Sequence, residues 1–456
     1  MTRRQKILII AFPGQGHINP SLQFAKRLLN MNVEVTFCTN SSVIRLIENQ
    51  TTHHGLTFAP VSEDARKVNS TLEEFISDFA INGTREVSKM IKSAFTTGRP
   101  FDHMVYTTIV TWAADVANTY SLKSTLLWCQ SATILDLYYY YFNGYQDLIT
   151  SNKNNPKFLI KLPGLPSLTI SDLPTFFLPE CPEEHDFVLP LFRDHIDALK
   201  KSPRILVSTF NELEIGPIKA IEKLQLLSVG PLIPSAFLDG KDPLDNSFGG
   251  DLFETTEEDY IKWLNTKAKS SVVYVSFGSM STLSNDQAEE MAIGLLESKR
   301  PFLWVIRDEN KGSNLSKIDE LRKQGMIVGW CSQVEVLSHQ AIGCFVTHCG
   351  WNSTVEALAA GVPTVAFSQW SDQGTNGKMI EDVWKTGVRV KRKEGDGVVT
   401  GNEIKRCVEM VMENEEMRRN AEKWRDLARE AVSNDGSSIV NLQSFLDGVW
   451  NRITKL

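Results

Sequence analysis

The chain runs twice through one pattern, short and continuously apolar segments rich in β-branched residues alternating with segments of helical length. In the first half the apolar segments are KILIIAF (6–12), VEVTFCT (33–39), HMVYTT (103–108), STLLWC (124–129) and RILVSTF (204–210). In the second they are SVVYVS (271–276), FLWVIR (302–307), GMIVGW (325–330), GCFVTH (343–348) and PTVAF (363–367), and helical patterning fills most of 401–453. Alternation of such short β-branched runs with helix-length segments is the pattern of a parallel, doubly wound α/β sheet. The pattern breaks once, at PLIPSAFLDGKDPLDNSFGGD (231–251), which is rich in Pro, Gly and Asp and has no periodicity. At 456 residues the chain exceeds what one core supports. The expectation is an α/β protein with two facing Rossmann-like, doubly wound domains, residues 1–230 and 256–436, joined by a linker at 231–255 and separated by a cleft.

Charge and composition narrow the function. A net charge of −7 with no basic block argues against a nucleic-acid partner. The opening MTRRQKILIIAF imitates a secretory signal, but its apolar run is only about six residues before Pro13, below the usual range. It reads as a first strand. No apolar run approaches the ~18 residues a membrane span needs. The seven cysteines are scattered with no CxxC pair, which predicts reduced thiols and a cytoplasmic protein. The glycosylation triplet Asn352-Ser-Thr points the same way, because it lies inside the candidate site described next.

Ligands of doubly wound sheets bind where strands end and helices begin. Strand 271–276 runs into FGSMS, where Gly278 and Ser279 permit close backbone approach to a phosphate. Strand 343–348 runs into HCGWNSTVE, crowding His348, Gly350, Asn352 and Ser353 at a helix N-terminus, whose free amides and partial positive charge suit a diphosphate. Strand 363–367 leads to Asp372 and Gln373, which offer acceptors and donors to sugar hydroxyls. Each piece alone also reads as a turn or a helix cap; convergence of three strand ends favours a site.

The 44 residues from Trp330 to Gln373, WCSQVEVLSHQAIGCFVTHCGWNSTVEALAAGVPTVAFSQWSDQ, resemble the donor-binding signature of plant family 1 UDP-glycosyltransferases. The resemblance spans essentially the whole chain, including LYYYYFNGY (137–145), SAFLDGKDP and RPFLWVIR, and is strongest to anthocyanin 5-O-glucosyltransferases and crocetin glucosyltransferases. It implies a GT-B arrangement, a last helix (437–456) returning to the first domain, and a UDP-sugar donor. By the resemblance Trp330 stacks on uracil and the backbone of Cys331 bonds its edge. Gln333 and Glu356 face the ribose. His348, Asn352, Ser353 and Ser279 hold the diphosphate. Trp351, Asp372 and Gln373 contact the hexose, and a glutamine at position 373 goes with glucose. No Asp-x-Asp triplet occurs, so no metal and no other cofactor is expected.

His17, in PGQGHINP at the end of the first strand, matches the family's general base. The aspartate that many relatives pair with this histidine is replaced by Thr107, which cannot stabilise an imidazolium as a carboxylate does. Phe12, Gln130 and Tyr141 are candidate acceptor contacts, with Trp128 and the proline-rich 163–190 stretch beside them. If 126–145 is helical, Tyr138, Tyr141, Phe142 and Tyr145 share a face, as core or as pocket wall. The expected partners are a UDP-sugar and a small apolar or phenolic acceptor, and the expected state is a monomer. The product is a β-glucoside of a flavonoid or anthocyanin hydroxyl, or a glucose ester of a carboxylic acid. A non-catalytic UDP-sugar binder is the reading from another class. A dehydrogenase is disfavoured for want of GxGxxG, and hydrolases for want of GxSxG or HExxH.

Overall fold

The computed structural model describes residues 4–48, 54–62, 70–179, 181–249, 259–307, 315–393 and 397–453, with side chains through Val449. Positions 250–258 of the expected linker and second domain, and 454–456 of the last segment, lie outside the described residues.

The first sheet has seven parallel strands: β1 (Lys6–Ile10), β2 (Glu34–Asn40), β3 (Leu56–Ser62), β4 (His103–Thr107), β5 (Ser124–Trp128), β8 (Arg204–Val207) and β9 (Gln225–Ser228), in the order β3-β2-β1-β4-β5-β8-β9. A two-stranded antiparallel ribbon, β6 (Leu159–Ile160) and β7 (Leu168–Thr169), stands apart from it. The second sheet holds β10 (Val272–Ser276), β11 (Phe302–Val305), β12 (Met326–Val328), β13 (Ile342–Thr347), β14 (Thr364–Ala366) and β15 (Gly387–Arg389), ordered β12-β11-β10-β13-β14-β15 and parallel throughout. Both sheets therefore have the doubly wound order, with a switch point between β1 and β4 in the first and between β10 and β13 in the second.

The unbroken apolar runs follow from burial on two faces. Ile7 and Ile9 enter one core with Leu442, Phe445 and Leu446 of the last helix (Ser437–Ile453), while Leu8 and Ile10 enter the core on the opposite face. Likewise Val273 and Val275 face one core of the second sheet, and Val272 and Tyr274 the other. The last helix is tied to the first sheet by Asn441, whose Nδ2 donates to the Ser228 carbonyl at 3.0 Å.

Five strands are absent from the sequence reading: the ribbon strands β6 and β7, and β3, β9 and β15 at sheet edges, whereas the edge strand β12 is legible in GMIVGW. β6, β7, β9 and β15 are only two to four residues long, too short for a run to stand out, and β3 carries Thr57, Pro60 and Ser62, a proline being tolerated at an edge. Residues 231–249 are not a loose tether. Asp245 pairs with Lys26 of the first domain's opening helix at 2.7 Å, with both side chains nearly buried, and accepts the Ser235 amide at 2.8 Å. Ile233, Leu238 and Phe248 join Phe210, Trp351 and Val355 in a core shared by both domains.

Candidate active site

The helix after β1 spans Gln15–Asn30, so Pro20 falls inside it. A proline at position 20 has no N–H for the carbonyl of residue 16. That carbonyl instead accepts Asn352 Nδ2 from the second domain at 3.1 Å. The two switch points thus meet across a cleft, which encloses a cavity of about 330 Å3 lined by both domains.

From the second domain the cavity is lined by Ser279, Trp330, Cys331, Gln333, His348, Gly350, Trp351, Asn352, Ser353, Glu356, Asp372 and Gln373. The His348 ring packs between two glycines. A Cβ on Gly278, whose φ is +68°, would meet His348 Cε1 at 2.6 Å, and one on Gly350 would collide with Nε2. Gly350 is the N-cap of the helix Trp351–Ala360 and offers no side chain, so no side-chain cap takes the first-turn amides. Gln333 Nε2 donates to Ser353 Oγ at 2.8 Å and to Glu356 Oε2 at 2.7 Å, which fixes both acceptors before any ligand arrives. Trp351 is buried, with its indole N–H on the Ser208 carbonyl of the first domain at 2.7 Å, so it links the domains as well as lining the cavity. The Gln373 side-chain oxygen accepts the amides of Gln369 (2.8 Å) and Trp370 (3.1 Å), which leaves its NH2 as the group it can present. Asp372 is buried and accepts Asn376 Nδ2 at 2.9 Å; burial raises its pKa above the usual carboxylate range, against the opposing pull of its hydrogen bonds.

From the first domain come His17 and Gln130, together with Gln15, Asn19, Thr108 and Ile109. His17 is half-buried, its Nδ1 is enclosed without a hydrogen-bond partner among the described residues, and burial pushes its pKa down to about 4. It is a neutral imidazole at physiological pH. His348 is likewise held down at about 4, by burial and then by the Arg307 charge.

Three sequence candidates are not on the cavity wall. Thr107 is fully buried, and its Oγ1 accepts the Phe12 amide at 3.0 Å instead of reaching His17. Phe12 packs edge-on to His17 (5.4 Å between centroids) and to Phe75 and Phe79, supporting the base from behind. Tyr141 stacks on Phe177 at 4.5 Å inside the core. The helix expected over 126–145 is shorter, Ala132–Tyr140, and continues as a π-turn distorted at Asn143 and Gly144. The four aromatics do not form a cavity wall, and Tyr138 instead stacks on Phe192 at 3.9 Å. Trp128 is also wholly buried.

The apolar end of the cavity comes from Leu72, Ile76, Phe176, Phe187, Val188, Leu191, Phe192 and Trp370. Phe176, Phe187 and Val188 fall in the stretch 163–190 that its prolines had marked, and Trp370 lies in the signature 330–373; Leu72, Ile76, Leu191 and Phe192 carry no local signal, since an apolar residue reads as core wherever it sits. Trp370 stacks on His185 of the first domain at 5.5 Å, and the Thr175 amide donates to the Ser371 carbonyl at 3.0 Å, closing this end between the domains.

A polar ladder on one domain facing a neutral histidine on the other, at two opposed switch points, is the arrangement of a group-transfer enzyme with a nucleotide-linked donor. Residues 249–431 match the family described as UDP-glucoronosyl and UDP-glucosyl transferase. Phloretin 4'-O-glucosyltransferase of Malus domestica is 50% identical, over 98% of this chain and 98% of that protein. Crocetin glucosyltransferase, chloroplastic, of Gardenia jasminoides is 48% identical over 98% of each. Among solved structures, Os79 of O. sativa in complex with UDP superposes with a TM-score of 0.85 at 30% identity, covering 97% of this chain and 100% of that one. The chain belongs to the UDP-glycosyltransferases and has their GT-B fold. It is a hexosyltransferase that uses a UDP-sugar donor and a small-molecule acceptor. Among the described residues no helix is long and apolar enough to cross a membrane.

Proposed function

We propose that the protein is an inverting, UDP-glucose-dependent O-glucosyltransferase that forms a β-glucoside on a flavonoid- or anthocyanin-like phenol. The observation that carries this reading is the neutral His17 imidazole on the cavity wall opposite Asp372 and Gln373. The uracil would lie at Trp330, the ribose at Gln333 and Glu356, and the diphosphate at the amides of the helix Trp351–Ala360 with His348, Ser353 and Ser279. The hexose would reach Asp372 and the Gln373 amide. His17 takes the acceptor hydroxyl proton, the oxygen attacks the anomeric carbon opposite UDP, and the bond to the diphosphate oxygen breaks with its electron pair leaving on UDP. The aromatic end of the cavity and the phenol-glucosylating relative support a flat phenolic acceptor.

Helix-terminal amides provide the positive potential for the leaving group, and no cluster of three His, Cys, Asp or Glu side chains occurs among the described residues. We therefore expect turnover without added metal, in a monomeric cytoplasmic enzyme. The defining experiment incubates the protein with UDP-glucose and a panel of phenols in excess EDTA, following UDP release and glucoside mass. UDP binding without release on any acceptor would support a non-catalytic binder, and complete loss of activity rescued by magnesium would contradict metal independence.

One observation favours carboxylic acids as a second acceptor class. With the Thr107 hydroxyl on the Phe12 amide and no partner at His17 Nδ1 among the described residues, no carboxylate of theirs is hydrogen-bonded to the ring to stabilise an imidazolium. An acceptor already ionised near neutral pH needs no proton removed. Hydroxylamine-labile glucose esters in the same screen would establish this class.

A further inference from the structure

The chain leaves β4 beside His17 through an unusual backbone state. After Thr107 it passes through Thr108 and Ile109, and Ile109 has φ +75°. In the left-handed region a β-branched side chain crowds its own backbone, and such a residue persists only where its surroundings over-determine it. Both Thr108 and Ile109 line the cavity, so the strain sits in the wall of the site.

The restraint comes from the helix Val188–Leu199. His195 is 1% exposed, and its Nε2 accepts the Ile109 amide hydrogen at 2.8 Å. The ring stands edge-on to Trp128 (6.3 Å, 90°) and tilted against Phe192, itself a cavity residue. Because Nε2 accepts, the ring proton must be on Nδ1, which has no partner among the described residues. Burial, with His17 nearby, pushes the pKa down to about 3, so the ring stays neutral and Nε2 keeps its lone pair. An apolar side chain would fill this core equally well. What the imidazole adds is an acceptor for the Ile109 amide, which sits half-buried in the cavity wall.

We propose that His195 is a positioning residue for transfer: by holding the Ile109 amide it fixes the Thr108–Ile109 turn in the cavity wall beside His17, and so sets where the acceptor oxygen can sit. The proposal rests on the transferase reading of the cavity. It concerns the acceptor side only, since His195 is remote from the donor ladder in sequence and does not itself line the cavity.

The test compares His195→Gln with His195→Met. The two replacements have similar length and volume, but only glutamine places a strong acceptor near the Nε2 position. For the acceptor, kcat/KM falls about ten-fold or more in the methionine variant, the scale of a lost buried hydrogen bond, and stays within about three-fold of wild type in the glutamine variant. UDP affinity by titration calorimetry is unchanged in both. If the methionine variant does not fold, Ile109→Gly carries the test, because glycine takes φ above zero without strain and frees the turn. It raises the acceptor KM and leaves UDP affinity alone. Wild-type acceptor kinetics in the methionine variant, equal losses in the two His195 variants, or UDP affinity falling in step would each overturn the proposal. Wild-type turnover, recorded alongside, keeps a failure of the transferase reading separate.

Discussion

The side-chain amide of Asn352 donates to the Gly16 carbonyl across the cleft at 3.1 Å, one residue before His17 in the chain. Pro20 leaves that carbonyl without its usual partner in the helix. A second-domain residue is thereby tied to the helix turn that carries His17, the proposed base, and the same helix start that would hold the diphosphate sets the distance to it.

Replacing Asn352 separates these roles. Asn352→Ala should raise the UDP-glucose KM roughly ten-fold through loss of a polar contact. Asn352→Asp should be worse, because a carboxylate would face both the Gly16 carbonyl oxygen and the diphosphate. Calorimetric UDP affinities in the order wild type, alanine, aspartate are expected; an aspartate variant binding as well as wild type would refute this placement.

The pH profile follows from the lowered pKa of His17. The base form is complete well above pH 4, so kcat/KM for a phenol should be flat on the acid side down to about pH 5 and fall through about pH 4. His17→Ala should abolish transfer to phenols and retain UDP binding. An acid limb near 6.5, the ordinary histidine value, would show that the ring is not desolvated as described.

Stability should depend on pH for a related reason. His17, His195 and His348 are all held below 6.5, at about 4, 3 and 4. Between 6.5 and these values the unfolded chain binds protons that the folded chain does not, so stability rises with pH across that window. The contribution is fully present above about 6.5 and is lost as pH falls toward 4. Thermal melts from pH 7.5 to 4 should show Tm dropping below 6.5, with a shallower drop in His348→Gln.

The Lys26–Asp245 pair tests the strap between the domains. Lys26→Met removes the direct ion pair of a nearly buried Asp245, which keeps the Ser235 amide, the Gln23 amide and the nearby Arg27 charge, a loss of about 2 kcal/mol. Because Ser247 and Phe248 just beyond it line the cavity, the donor KM should rise as well. A variant as stable as wild type in urea would mean that the segment is held by its apolar contacts alone.

Gln373→Glu keeps the oxygen that accepts the Gln369 and Trp370 amides and removes the NH2. Its Tm should stay near wild type while kcat/KM for UDP-glucose falls at least about ten-fold. A loss of folding would assign Gln373 to the turn alone.

Sheet interiors were readable because strands covered on both faces must be apolar throughout, as in KILII and VVYVS. β9 and β15 were not, being only four and three residues long, nor was β3, whose run is broken by Thr57 and Pro60. Eleven of the twelve candidate donor residues lie near strand ends or helix starts of a single domain, Glu356 lies mid-helix, and the structure brings all twelve to one cavity. The acceptor side was largely illegible. Phe12 and Tyr141 look like pocket residues but support the His17 ring and the core, whereas Ile76, Leu191 and Phe192 look like core and line the pocket.

By itself the sequence determined the two α/β units, the switch-point loops with their small and polar residues, and the place of His17 at the end of the first strand. These are local consequences of burial, of backbone freedom at glycine, and of the free amides at a helix start. Only the tertiary structure decided that Asn352 meets Gly16, that Thr107 turns away from His17, and that His195 holds a strained Ile109. Such contacts join residues tens to hundreds of positions apart, and nothing in the local chemistry of either partner specifies the other.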